Sequence, residues 1–297
     1  EIYRCDWSSD VCSSDLEHHL TLEVREFSYT HADFQQICTR VYQLAGIRLT
    51  PSKDSMVYSR LARRIRQLKL KSFQDYLNFL DATPAEEQLF INALTTNLTS
   101  FFREPHHFET LAEFLKTTPG SLTIWCAASS TGEEPYSIAM VVHETLGKDA
   151  DRVQIIASDI DSQVLQTAQK GIYAIDRIAG LSLERKKHFF SRGTGANEGL
   201  VKMSDELRSH VEFCRINLLD ATWPLPNKID VIFCRNVMIY FDKDTQARIL
   251  RHMIERLPDH GLYFAGHSEN FTHLNQFVRL VGKTTYQPVR RSSHAAI

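Results

Sequence analysis

The chain has 297 residues, 43% hydrophobic and 24% charged, with a formal net charge of −2; this excludes a disordered polypeptide and leaves room for one large domain or two smaller ones. Six cysteines (Cys5, Cys12, Cys38, Cys126, Cys214, Cys234) show neither a Cys-x-x-Cys pair nor Cys/His spacing of a zinc site, so they read as reduced thiols of a cytosolic protein. No apolar run reaches the length of a membrane span and no signal-peptide core is present, so a cytoplasmic protein without membrane insertion is expected.

The first sixteen residues, EIYRCDWSSDVCSSDL, carry no initiator Met and no amphipathic period. Their serine/aspartate near-repeat resembles translated sequencing-adapter read-through, with a short native tail as the alternative, and they are set aside from fold reasoning. From about Thr30 to Leu98 the pattern is helical. Phe34, Ile37, Cys38, Val41 and Leu44 recur at three-and-four spacing; Val57, Leu61, Ile65 and Leu68 follow, then Phe73, Tyr76, Leu77 and Leu80, then Leu89, Phe90, Ala93 and Leu94. Pro51 and Pro84 sit near the second and fourth starts, with Thr50 and Thr83 as candidate caps. Within this region residues 58–71, YSRLARRIRQLKLK, hold six cations and no acid. Arg60, Arg64 and Lys71 are expected near one helical face with Arg63, opposite the apolar stripe.

After Pro119-Gly120 the period changes. SLTIWCA, RVQIIASDI, HVEFCRINLL, IDVIFCRN and GLYFAGHS read as strands separated by helices such as EPYSIAMVVHETLG and DTQARILRHMIERL, which predicts a doubly wound α/β domain with a mostly parallel sheet. TTYQPV is expected to add an antiparallel edge strand. Between Ile172 and Arg208 the alternation lapses into a helical piece and a glycine-rich turn region, read as a small inserted lobe. The expected organisation is a leader at 1–16, a helical domain at 17–98, and the α/β domain at 99–297 with the lobe at about 172–208.

In an open parallel sheet the ligand lies beyond the carboxyl ends of the strands. Asp159, about 25 residues beyond Gly132, is placed to accept hydrogen bonds from two ribose hydroxyls, as either NAD or S-adenosylmethionine requires. The turn WCAASSTGEEPYS separates the two. It lacks Gly-x-Gly-x-x-Gly, and Glu133 and Glu134 would repel a pyrophosphate at the helix N-terminus. A sulfonium with an amino-acid zwitterion tolerates those acids, although both acids also suit the helix dipole, Glu133 more than Glu134.

NLTSFFREPHHF (97–108), WCAASSTGEEPYSIAM, ASDIDSQVLQTAQKGIY, FCRNVMIYFD (233–242) and GLYFAGHSENF (261–271) closely resemble the CheR-type chemotaxis receptor methyltransferases. The resemblance spans roughly Thr30 to Val289. It implies a class I, Rossmann-like S-adenosylmethionine-dependent methyltransferase fold behind an N-terminal helical bundle. It also implies protein-glutamate O-methyltransferase activity on methyl-accepting chemotaxis receptors, with S-adenosylhomocysteine as product. By matching motif, cofactor contacts are implied at Asn97, Thr99, Arg103, Glu134, Asp159, Asn217, Leu218, Arg235 and Asn236, and catalytic positions near the transferring methyl at Arg103 and Tyr240. Beside such a domain, Arg60, Arg63 and Arg64 become candidate substrate-binding residues for an acidic helical receptor. The lobe becomes a candidate edge for a tether peptide at the receptor C-terminus, as implied for some family members.

Other readings of the same residues are ordinary ones. Asn97 or Thr99 would cap the helix starting near Glu104-Pro105; Asn236 would be a turn residue and Tyr240 a core aromatic. His106 and His107 lack a third ligand at a suggestive spacing, so no metal is expected. A nucleic-acid methyltransferase is opposed by the near-neutral charge (pI about 6.7) and by the lack of an Asn/Asp-Pro-Pro-aromatic element. A catalytically silent adaptor is the remaining alternative. The expected state is a monomer.

Overall fold

The computed structural model describes residues 25–289; the leader expected at 1–16 lies outside them. Four helices come first: α1 (His31–Ala45), α2 (Asp54–Gln67), α3 (Phe73–Ala82) and α4 (Pro84–Leu94). Thr30 opens α1 with a reciprocal cap, its hydroxyl accepting from the Asp33 N–H while Asp33 Oδ2 accepts from the Thr30 N–H. Gly46, at φ 69°, closes α1 in the left-handed conformation. The apolar stripes read from the sequence meet inside the bundle, where Phe34, Ile37, Val41, Val57, Leu61, Ile65, Tyr76 and Phe90 form one buried cluster. Capping departs from expectation at two threonines. Thr50 precedes a short 3-10 turn, Pro51–Lys53, and Thr83 precedes α4, but neither side chain bonds the helix it introduces; proline at the first turn already fixes φ and removes an orphan N–H.

The second region begins with α5 (His106–Thr117), β1 (Leu122–Cys126), α6 (Glu133–Leu146), β2 (Val153–Asp159) and α7 (Ser162–Lys170). The lobe follows, with β3 (Ile172–Ala174), α8 (Leu183–Phe189), β4 (Phe190–Arg192) and β5 (Leu200–Met203). After α9 (Asp205–His210) come β6 (Val211–Arg215), β7 (Val231–Phe233), α10 (Lys243–Ile254), β8 (Leu262–Phe264), β9 (Val278–Gly282) and β10 (Thr285–Pro288). The main sheet runs β6-β2-β1-β7-β8-β10-β9. Its first five strands are mutually parallel, and β10 is antiparallel to both neighbours.

TTYQPV is thus an antiparallel strand, as expected, but not the edge. β9 lies outside it, because the tight Lys283-Thr284 turn folds the preceding segment back along β10. Burial on both faces explains the continuous apolar strands. Ile124 and Cys126 pack into the cluster that includes α5, α6 and the lobe, whereas Trp125 and Ile232 pack with α10, as side-chain alternation requires. The lobe is a separate antiparallel sheet, β3-β5-β4. Strand order reverses at β1, whose two neighbours β2 and β7 carry the chain in opposite directions, so a crevice opens beyond the carboxyl ends of β1, β2 and β7.

Candidate active site

That crevice is a solvent-open cleft, at the place where a parallel sheet of this kind takes its ligand. It is lined by residues following β1, β2, β6 and β7, by the segment 94–103 between the two regions, and by the helical region itself. All ten residues singled out for cofactor or methyl contact line this one cleft: Asn97, Thr99, Arg103, Glu134, Asp159, Asn217, Leu218, Arg235, Asn236 and Tyr240. Arg60, Arg63 and Arg64 do not line it.

The turn after β1 divides its two acids. Gly132, at φ 98°, starts α6, and a Cβ there would meet Ala168 Cβ and the Tyr173 hydroxyl at 2.9 Å. Its glycine therefore serves packing against α7 and the lobe, not a phosphate cradle. Glu133 is buried away from the cleft, held by Arg177 of the lobe and the Thr131 hydroxyl. Glu134 faces the cleft, where its Oε2 accepts from Arg235 Nη1 at 2.6 Å and its Oε1 from the Cys126 thiol at 3.3 Å. Arg235, 5% exposed, also donates from Nη2 to the Arg103 carbonyl. The guanidinium thus ties the end of β7 to the segment carrying Arg103. The Arg103 side chain makes a single hydrogen bond among the described residues, from Nη1 to the Leu98 carbonyl at 3.1 Å. That leaves most of a guanidinium fork available in the cleft.

Asp159 ends β2 with both oxygens engaged, Oδ2 by the Ser130 N–H at 2.8 Å and Oδ1 by the Asp161 N–H at 2.9 Å. Burial raises its carboxyl to about 6, against the lowering effect of those backbone bonds. Asn97 is not a helix cap: α5 begins three residues past Arg103, and the Asn97 amide donates to Asp161 Oδ2 at 2.9 Å. Asn217 donates to the Leu44 carbonyl at 2.8 Å and accepts from the Leu219 N–H at 3.0 Å, so its side chain seats the cleft wall on α1.

Asn236 occupies φ 58°, and a Cβ at Gly266 would lie 2.2 Å from its Nδ2. Only glycine admits this close approach of two loops. Glu269, 5% exposed, locks the same corner: Oε1 accepts from the Val237 and Met238 N–H groups and Oε2 from Gly266 N–H. This carboxylate positions the turn from Asn236 to Tyr240, a role no spacing in the sequence signals. Tyr240, half-buried, accepts at its backbone carbonyl from Arg48 N–H at 3.0 Å.

The basic stretch folds differently from its outline in sequence. Lys71 falls beyond α2, and two of the three arginines have partners within the bundle. Arg60 Nη1 donates to the Thr95 carbonyl at 2.6 Å. Arg64 makes a two-pronged pair with Glu86, both contacts 2.6 Å, and Glu86 is 3% exposed. Arg63 is exposed. The helical-region cations that do line the cleft are Arg48 and Lys53, which the sequence reading passed over because neither lies in a charge run. His106 and His107 gain a spatial neighbour that linear spacing hid. Glu104, at φ 58°, turns back so that its carboxylate and both imidazoles share one small space.

The donor set fits S-adenosylmethionine: two cleft carboxylates, an open guanidinium and no backbone phosphate cradle. Comparison with known proteins agrees. The CheR methyltransferase SAM binding domain matches residues 97–287, and the CheR methyltransferase all-alpha domain matches residues 32–95. The chain is 54% identical over 267 residues to chemotaxis protein methyltransferase 2 of Pseudomonas aeruginosa, covering 89% of this chain and 95% of that one. It is 51% identical over 257 residues to the chemotaxis protein methyltransferase of Klebsiella aerogenes, covering 86% and 89%. The corresponding Escherichia coli protein is 48% identical over 270 residues, covering 90% and 94%.

Proposed function

The chain belongs to the CheR methyltransferase family, and from that premise we propose that it methylates glutamate side chains of methyl-accepting chemotaxis receptors in the cytoplasm. The products would be glutamate methyl esters and S-adenosylhomocysteine. The observation that carries this reading is the convergence of Arg103, Glu134, Asp159 and Tyr240 on one cleft.

Bound S-adenosylmethionine supplies an electrophilic methyl carbon. Asp159 is the acceptor for the ribose hydroxyls, Glu134 for the ammonium of the methionine portion, and Arg103 the donor for a carboxylate of cofactor or substrate. Asn97, Thr99, Asn217, Leu218, Arg235 and Asn236 complete the wall, several of them through backbone groups, since the Asn97, Asn217 and Arg235 side chains are engaged by Asp161, the Leu44 carbonyl and Glu134. A receptor glutamate is already ionised at neutral pH, so no side chain has to take its proton. The protein's contribution is alignment of carboxylate oxygen, methyl carbon and departing sulfur. Tyr240, a neutral donor, can orient the incoming carboxylate without quenching its charge.

Arg63, with Arg60 and Arg64 as flanking charge, is the proposed contact for the receptor's acidic helices. A receptor-tail peptide would add to the lobe at an open edge, β3 or β4. A monomer suffices, because every proposed group comes from one chain. The test is transfer of radiolabelled methyl to receptor-containing membranes, followed by alkali. Label released as methanol supports carboxyl methylation; cofactor binding without label on any receptor returns the protein to the adaptor reading, and label on RNA to the nucleic-acid one.

A further inference from the structure

Beside the cleft, where the chain passes from Arg103 into α5, three metal-ligand side chains meet: Glu104, His106 and His107, each with one ligand-type atom in the cluster. These atoms all lie within 4.8 Å of one another. On these side chains Glu104 Oε2, His106 Nε2 and His107 Nδ1 are buried and lack a hydrogen-bond partner among the described residues. His107 is 0% exposed, and its Nδ1 stands 3.8 Å from Glu104 Oε2, too far for a hydrogen bond. A buried polar atom left without a partner is costly. Three such atoms on side chains whose ligand groups cluster mark a place for an occupant.

The remaining polar atoms of His107 and Glu104 are already fixed. His107 Nε2 lies 2.8 Å from Thr284 Oγ1, and Glu104 Oε1 accepts from His267 N–H with His267 Nδ1 also at 3.1 Å. Outer partners of this kind orient the rings and carboxylate of a metal centre while leaving one lone pair each to point inward. Two imidazoles and a carboxylate suit zinc, with water as the fourth ligand; calcium and magnesium prefer all-oxygen sets. Opposing charge is close, since Arg235 Nη2 lies 3.6 Å from Glu104 Oε1. Glu134 offsets it through its own contact with Arg235.

We propose that Glu104, His106 and His107 bind a divalent transition-metal ion, zinc by ligand chemistry, which pins the Arg103 segment to the turn between β9 and β10. Chelator-treated full-length protein titrated with Zn2+ by calorimetry should take up one equivalent at this site. Affinity should fall at least tenfold in Glu104→Gln and in His106→Gln, a half-buried position. Co2+ in its place should give visible bands of a four-coordinate nitrogen/oxygen site, without the near-ultraviolet thiolate absorption of a cysteine site. Zn2+ should raise the melting temperature of the parent protein and not of the variants. Absence of uptake, or equal affinity in parent and both variants, would overturn the proposal and assign the space to an ordered water.

Discussion

Arg60 and Arg64 of the helical bundle and Arg103 of the cleft are the same residue type in opposite circumstances. The first two lie in the most basic stretch of the chain, yet one donates to a helix-end carbonyl and the other to a buried carboxylate. Arg103 stands outside any run of cations in the sequence and keeps nearly its whole donor fork open. A run of charge therefore locates a helix face but says little about which cations are free. That is decided by partners distant in sequence, Glu86 for Arg64 and, among the described residues, none of comparable strength for Arg103.

The contrast is sharpest at Arg103. Arg103→Ala should lower methyl transfer by at least about 100-fold, the scale of a charge-assisted paired contact. Stability should change by no more than about 0.5 kcal/mol, the usual effect away from buried networks. Near-normal transfer in the radiolabel assay would dissolve the contrast.

Arg64→Ala should do the reverse. It would leave Glu86 buried with only the Tyr76 hydroxyl, at 3.0 Å. Denaturant unfolding should show a loss of about 2–3 kcal/mol, with cofactor affinity in the folded protein unchanged.

Asp159→Asn should weaken S-adenosylmethionine binding about tenfold by calorimetry, since the amide is a poorer acceptor for two hydroxyls. In the parent protein, burial raises this carboxyl to about 6. The ionised form accepts the ribose hydroxyls, so affinity should be full above that pH and decline as pH falls through it. The same raised value makes the empty protein lose stability as pH climbs from the ordinary carboxylate range, near 4, through 6. The Asn variant should show neither dependence.

The smallest effect belongs to Arg63. Arg63→Ala should leave stability and cofactor binding unaltered and reduce the rate of receptor methylation a few-fold at low salt, less at high salt. A loss of cofactor binding would show that the exposed face is not separate from the cleft.

Much of this was legible in sequence because the geometry of parallel sheets is repetitive. Once the strand–helix alternation is recognised, the residues after each strand must share a crevice, which is how Glu134, Asp159, Asn217 and Asn236 come to be neighbours. What stayed hidden depends on non-local pairing. The order of β9 and β10 is set by a turn at Thr284 that sequence patterning does not mark. Glu269 acts on Asn236 across more than thirty residues, and Glu104 meets the two histidines only because its own backbone adopts a left-handed turn. The cleft cations Arg48 and Lys53 belong to a different folding region from the strands they face.

That last arrangement has a consequence for how the protein breathes. The Arg48 amide is hydrogen-bonded to the Tyr240 carbonyl, and the Leu44 carbonyl to the Asn217 amide, so the seam between bundle and sheet runs along the cleft floor. Opening that seam would expose the Arg48 N–H to solvent deuterium. A ligand filling the cleft favours the closed seam by mass action. Isotope uptake at this single backbone position is therefore a gauge of occupancy, read from an atom that need never touch the ligand.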